Sequence, residues 1–478
     1  LLVFSILAKT QGMTRLLETI PIIFSLVLPY GSEAAAEGKP ARAPNIVVIL
    51  ADDLGYGDLG CYGHPVIRTP HLDRMAAEGM RFTDFYASEC VCTPSRAALL
   101  TGRLPVRSGM CSDNRRVLFP NSKGGLPAEE ITTAEALKAK GYATACIGKW
   151  HLGHLPQYRA IRHGFDHFFG LPYSNDMDLD TNAAPRAGAS VNPARQVDWW
   201  NVPLLRNDEV IERPVDQTTL TRRYTEEALQ FIKRNRKQPF FLYLPHTFPH
   251  VPLFASRQAR NKSPRGLYGD VVEELDWSIG QILETLRKER LEAKTLVVFT
   301  SDNGPWLTQK LEGGSAGLLR EGKGSTWEGG MRVPFVAWWP GRIKAGAVNH
   351  SLACNMDLFS TFLKLAGAPI PTDRIIDGKD MSPLLFGAGP GQRDLFFYYR
   401  GTQLFAVRKG PFKAHYITRP GYGREPAAQH DPPLLYHLDH DASEQFDVAK
   451  DHPEVLADLA REVERHRAGL VPGRLQLE

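Results

Sequence analysis

Cysteine is scarce. Six stand in 478 residues, at Cys61, Cys90, Cys92, Cys111, Cys146 and Cys354. None forms a C-x-x-C pair, so neither a disulfide framework nor a paired-cysteine zinc site organises the chain. An excess of one charge is missing too: 57 Lys and Arg against 53 Asp and Glu leave +4, and composition does not point to nucleic acid. Internal repeats and low-complexity tracts are absent, which excludes solenoids and biased tails. No stable membrane span is expected, because the apolar run 20–29 is about half of what a bilayer requires.

What remains is an ordinary globular composition, 43% hydrophobic and 23% charged, long enough for one large domain and a smaller one. The run 20–29 lies between Met13-Thr14-Arg15 and Ala34-Ala35-Ala36, a basic start, an apolar centre and small residues for cleavage. Residues 1–36 therefore read as an export signal whose true start is Met13. The protein is expected to be periplasmic or secreted in a bacterium, and lysosomal or extracellular in a eukaryote. The few cysteines favour the bacterial setting.

From residue 45 the chain alternates. Apolar strands are expected at 45–53, 82–86, 142–148, 239–244, 295–301 and 333–339, with helices at 72–78, from Cys92, and at 133–140, 220–234, 271–290 and 357–366. Alternating strands and helices, with unbroken Val/Ile/Leu runs, predict a large, mostly parallel α/β sheet covered by helices on both faces. Residues 171–215 read as a long loop region. After Gly391 short strands at 396–399, 404–408, 413–418 and 434–438, closed by a helix at 454–467, predict a smaller α+β unit with an antiparallel sheet. The expected domains are 44–390 and 391–478.

Polar clusters fall just past strand ends, where open α/β sheets bind ligands. Asp52-Asp53 follows one strand and Asp302-Asn303 another. Adjacent carboxylates repel unless a cation or proton intervenes, and oxygen donors suit a hard cation such as calcium. Cys92-Thr93-Pro94-Ser95-Arg96 opens a helix, with Thr93 expected as its cap and Pro94 in its first turn. Unpaired N–H groups and Arg96 there would favour an anion. Lys149 and His151, two apart in Gly148-Lys149-Trp150-His151-Leu152-Gly153, are expected to face one pocket. Two glycine-rich strings are set aside. Gly55 to Gly60 fits a dinucleotide fingerprint, but prolines 65 and 70 leave no room for a long helix. Gly317 to Lys323 resembles a phosphate loop but has Gly324 where Ser or Thr belongs.

The Cys-x-Pro-Ser-Arg string, followed by Leu100-Thr101-Gly102-Arg103, resembles the signature of the type I sulfatases, and the resemblance extends over nearly the whole chain after residue 44. It implies an alkaline-phosphatase-like fold and hydrolysis of sulfate monoesters, with a sulfated sugar as the expected natural substrate. It implies that a maturation enzyme oxidises Cys92 to formylglycine (3-oxoalanine). One calcium ion would be held by Asp52, Asp53, residue 92, Asp302 and Asn303. Arg96 would favour the ionised nucleophile, with Asp302 as acceptor of its proton. Lys149, Lys323, His250 and Ser174 would bind the sulfate, His250 or Lys323 would protonate the leaving oxygen, and His151 would assist release. His250 is preferred over the nearby His246, and His415 is carried as a further substrate-side residue. Two other readings stay open: a phosphonate or phosphodiester hydrolase of the same superfamily, and a glycan-binding protein with unmodified Cys92.

Overall fold

The computed structural model describes residues 43–179, 199–423 and 425–478. The expected export signal, 1–36, and the middle of the 171–215 stretch lie outside the described residues.

Strand Asn45–Ala51 is the axis of the fold, and all seven of its residues are buried. Alternate side chains go to opposite faces of the sheet: Val47, Ile49 and Ala51 enter one core, Ile46, Val48 and Leu50 the other. A strand covered on both faces has no use for polar alternation, so it reads as a continuous apolar run. It pairs in parallel with Phe240–Pro245 and with Thr295–Ser301. The ten-stranded sheet runs Ala347–Asn349, Met80–Phe82, Phe335–Trp338, Thr295–Ser301, Asn45–Ala51, Phe240–Pro245, Ala143–Ile147, His167–Gly170, Leu204–Arg206, Glu209–Glu212. Its central five strands are parallel, and antiparallel pairings flank them.

Helices Pro70–Glu78, Leu220–Arg234 and Leu267–Lys288 cover one face through Met75, Tyr224 and Ile279. Cys92–Thr101, Thr133–Lys138 and Asn355–Leu365 cover the other through Leu99, Leu137 and Phe362. A second sheet takes Leu395–Arg400, Gln403–Lys409, Phe412–Thr418 and Ala428–His437 in chain order, all antiparallel. Helix Pro453–Ala468 packs Leu459 and Val463 into a core with Tyr398 and Ala406. That core also contains Tyr86, Ala98 and Met331, and residues 43–478 form one compact unit.

Several expectations are corrected. The single strand expected at 82–86 is two, Met80–Phe82 in the large sheet and Phe85–Tyr86 paired with Ala353–Cys354. The stretch read as loop carries the last two strands of the large sheet, Leu204–Arg206 and, at its edge, Glu209–Glu212. Thr93 does not cap the helix, whose N-cap is Val91 without a side-chain bond. Thr93 Oγ1 instead donates to the His151 carbonyl at 3.0 Å and accepts from Leu118 N at 3.2 Å. A tertiary partner outcompeted the local one.

Candidate active site

Four neighbouring parallel strands end on the same edge of the sheet, and each delivers part of one cluster. Asp52 and Asp53 leave Asn45–Ala51, and Asp302 and Asn303 leave Thr295–Ser301. Lys149 and His151 follow Ala143–Ile147, and His250 follows Phe240–Pro245. Helix Cys92–Thr101 adds Cys92 and Arg96, and the glycine-rich loop before Glu328–Met331 adds Lys323. All are buried.

Arg96 binds the two carboxylate ends together. Its Nη2 lies 3.1 Å from Asp52 Oδ2 and 2.8 Å from Asp302 Oδ2, and its Nη1 donates to the Lys149 carbonyl at 2.8 Å. Lys149 Nζ donates to Asp52 Oδ2 and, at 3.0 Å, to Ser174 Oγ. Lys323 Nζ donates to Asp53 Oδ2 at 2.8 Å, and His250 Nε2 lies 3.6 Å from the same oxygen. Asn303 Nδ2 donates to Asp53 Oδ1 at 2.7 Å. His246, by contrast, lies in the core with its ring against Tyr224 and its Nε2 3.4 Å from Ser278 Oγ. His151 has φ +57°, so a turn rather than an extended alternation places it. Its Nε2 is 2.9 Å from the Leu118 carbonyl, and its buried Nδ1 has no partner among the described residues.

Three buried carboxylates face three buried cations, Arg96, Lys149 and Lys323. Burial would raise the Asp52 carboxyl, but Lys149 and Arg96 outweigh it and hold it well below the usual range. Burial drives Asp53 the other way, reinforced by Asp52 and Asp302, although Lys323 opposes. Asp302 is raised by burial and by Asp52. Further positive charge would let all three carboxylates ionise. Burial pushes the Cys92 thiol up to about 12, so the unmodified side chain is a protonated, poor nucleophile near neutrality. Burial first, then Lys323 and Lys149, leave His250 neutral. Burial, Lys149 and Arg96 do the same to His151. Burial would discharge Lys323, but Asp53 keeps it protonated.

The residues fit a hard cation. Asp52 Oδ1 and Asn303 Oδ1 are buried with no hydrogen-bond partner among the described residues, a costly state that an ion would relieve. One donor atom from each of Asp52, Asp53, Cys92 and His250 lies within 4.8 Å of the others. Asp302 stands beside this group, its Oδ2 taken by Arg96 and its Oδ1 accepting from Asp53 N at 3.2 Å. Adding a divalent cation would turn a balanced site positive, and so receptive to an anionic ester.

Over residues 44–368 the chain matches the family model described as Sulfatase, and over 391–478 the one described as the C-terminal region of aryl-sulfatase. The chain belongs to the sulfatase family. This sulfatase is 45% identical to human (Homo sapiens) arylsulfatase A over 88% of this chain and 87% of the relative. It is 42% identical to dog (Canis lupus familiaris) N-acetylgalactosamine-6-sulfatase over 92% and 89%. The solved PsFucS1 sulfatase from Pseudoalteromonas sp. superposes with a TM-score of 0.80 at 30% identity, over 89% of this chain and 90% of that one. The protein is accordingly a sulfuric ester hydrolase. Among its described residues no helix is long and apolar enough to cross a membrane.

Three groups beside the sulfatase cluster escape sequence reasoning. Asp176 is half-buried, its buried Oδ1 has no hydrogen-bond partner among the described residues, and Lys149 and Lys323 act on its charge. The string 172–176 that holds Ser174 was its only signal. Trp306 stacks between His250 and Tyr422, with centroids 5.5 and 4.7 Å away, and Lys323 Nζ sits 4.4 Å from its ring. Tyr422 comes from beyond the second sheet's third strand and has no local signal. His415 lies elsewhere: its Nε2 is 2.7 Å from Glu444 Oε1 and its ring packs on Trp327 in a buried C-terminal network.

Proposed function

We propose that this sulfatase removes sulfate from a sulfated sugar, using formylglycine at position 92 and one calcium ion. The observation that carries the reading is the convergence of Cys92, Asp52, Asp53 and His250 within 4.8 Å, clamped by Arg96. The name N-acetylgalactosamine-6-sulfatase, borne by relatives 42% identical, supports a sugar substrate. Export fits the pattern read in residues 1–36, and a formylglycine-generating enzyme is the implied maturation partner.

Asp52, Asp53, Asp302, Asn303 and residue 92 would hold the calcium ion, which supplies Lewis acidity to the sulfate oxygens. Formylglycine supplies, once hydrated, an attacking hydroxyl and a second hydroxyl that permits release. The chain's own groups do the rest. Arg96 fixes Asp52 and Asp302 and stabilises negative charge at residue 92. Lys149 and Lys323 bind sulfate oxygens, with Ser174 orienting Lys149. Lys323 carries its proton at Nζ in the resting site, so it is the ready donor to the leaving oxygen, with His250 hydrogen-bonding to the ester. His151, neutral and free at Nδ1, accepts a proton there during release.

Mass spectrometry of the residue-92 peptide, with sulfate release from 4-nitrophenyl sulfate before and after calcium chelation, tests this. The expected results are a peptide lighter than the cysteine form and turnover lost on chelation and restored by calcium. Turnover of a phosphonate or phosphodiester without sulfate release would replace the reading.

A further inference from the structure

A cavity of about 270 Å³ adjoins the sulfate cluster and plays no part in the chemistry above. Cys90 and Pro94, two residues either side of Cys92, form part of its wall, as does Gly324 next to Lys323. The rest of its character comes from Arg116, Arg400 and Arg419. Among the described residues none of these guanidiniums makes an ion pair, and Arg116 Nη1 and Arg400 Nη2 are buried with no hydrogen-bond partner. The two acids at the cavity are committed to holding chain segments. Glu89 accepts from the backbone of Cys90 and, at 2.7 Å, of Gly401. Asp113 accepts from Thr402 N at 2.8 Å and Thr402 Oγ1 at 2.6 Å. Burial raises the Glu89 carboxyl, which lessens its negative charge. Burial and the neighbouring Arg116 and Arg419 lower Arg400. Like charges gathered with donors left dry are costly; an oxyanion would satisfy both the charge and the N–H groups.

The cavity is joined to the sulfate cluster by one continuous wall. Arg116 lies over the Tyr422 ring at 4.2 Å, and Tyr422 stacks on Trp306 beside Lys323. Gly324 has φ +83°, and a Cβ there would stand 3.0 Å from Arg116 Nη1 and 3.1 Å from the Tyr422 ring. Glycine at this position lets the arginine and tyrosine close over the loop that carries Lys323.

We propose that this cavity is a second anion subsite, which takes a carboxylate or a further sulfate on the sugar next to the one being desulfated. The inference rests on the sulfatase reading and narrows it to substrates with at least two anionic groups. The test is competition against 4-nitrophenyl sulfate turnover by three disaccharides. Each carries N-acetylgalactosamine 6-sulfate, joined to a uronic acid, to the same sugar with its carboxyl reduced, or to a second sulfated sugar. The inhibition constant should be at least tenfold lower for one or both doubly anionic probes than for the reduced one, and the preferred probe identifies the group. Arg400→Gln and Arg419→Gln should each shrink that ratio to about twofold or less. Because the ratio is taken within one preparation, a loss of folded enzyme does not imitate the effect. Equal constants for all three probes in the wild type, or a ratio unmoved in both variants, overturn the subsite while leaving the sulfatase reading intact. Failure of formylglycine-bearing enzyme to release sulfate from 4-nitrophenyl sulfate overturns both.

Discussion

At the scale of the residue, the division of labour between two nearby histidines is testable. His250 lies 3.6 Å from Asp53 Oδ2, whereas His246 packs against Tyr224 beneath the helices. His250→Ala should lower kcat by about 10²–10⁴-fold with little change in melting temperature. His246→Ala should do the reverse, keeping the rate per folded molecule and losing roughly 1–3 kcal/mol of stability. Steady-state rates on 4-nitrophenyl sulfate beside denaturant titrations separate the two, and equal rate losses would void the assignment. Cys92→Ser probes the other side of the chemistry. The side chain is buried in a helix that tolerates a small hydroxyl, so the fold should survive. An unmodified serine offers one hydroxyl, and after attacking sulfur it has no second one with which to release sulfate. Intact mass after exposure to an activated aryl sulfate should show sulfate retained at residue 92 and no sustained turnover. Multiple turnovers by a side chain confirmed as unmodified would remove the need for the aldehyde.

At the scale of the element, the sheet's antiparallel edge is tied to a helix by one carboxylate. Glu227, on Leu220–Arg234, accepts from Arg206 Nη1 at 2.8 Å and Nη2 at 2.9 Å, and Arg206 ends Leu204–Arg206, the strand next to the edge. Burial alone would raise the Glu227 carboxyl, but His167 and Arg206 together bring it down to about 2 from 4.5. A depressed carboxyl adds stability above its unfolded value, and that stability drains away as pH falls through the folded one. Glu227→Gln should therefore destabilise the protein at pH 6 by roughly 1 kcal/mol, because Arg206 is partly exposed, and lower its melting temperature accordingly. The gap between variant and wild type should close between pH 4.5 and 2. A gap independent of pH across that window would show that the carboxylate acts through packing alone.

At the scale of the whole molecule, the second sheet holds the loop that carries Lys323. Glu328 Oε1, at the end of that loop, accepts from Lys413 Nζ at 2.9 Å and Tyr398 Oη at 3.0 Å, both on the second sheet. Glu328 Oε2 accepts from Tyr86 Oη at 2.5 Å. Lys413 also lies 2.9 Å from Glu444. These groups are buried, so Lys413→Met leaves two carboxylates facing each other and should destabilise the protein by about 3–5 kcal/mol. Because the core of the second sheet includes Tyr86, Ala98 and Met331, wild type and variant should each unfold in one calorimetric transition. Two separated transitions would mean that residues 391–478 fold apart from the rest.

The alternation of strand and helix, the central parallel sheet, the antiparallel C-terminal sheet and the family were legible in the sequence. Burial on both faces writes itself as unbroken apolar runs, and residues that share a rigid turn stay together as strings such as 92–96 and 148–153. The strands Leu204–Arg206 and Glu209–Glu212 were not legible: they are only three and four residues long, the inner one burying just Leu204 and Leu205 and the outer one lying largely exposed, so neither carries an extended apolar run. Thr93 was misassigned as a cap because local rules see the nearest N–H and not the His151 carbonyl 58 residues away. The choice between His246 and His250 was reachable by counting along the motif, but only the fold shows the physical difference, one ring in the core and one beside Asp53. The sequence by itself determined which chemical groups the site would have and at which strand ends they would sit. The tertiary structure decided what surrounds them: Arg96 joining two carboxylates about 250 positions apart, Trp306 and Tyr422 walling the site, and three arginines, without an ion pair among the described residues, brought beside it. Apart from Trp306, which follows Asn303 closely, those neighbours come from distant segments, and their energies depend on burial and on distances that no local pattern encodes.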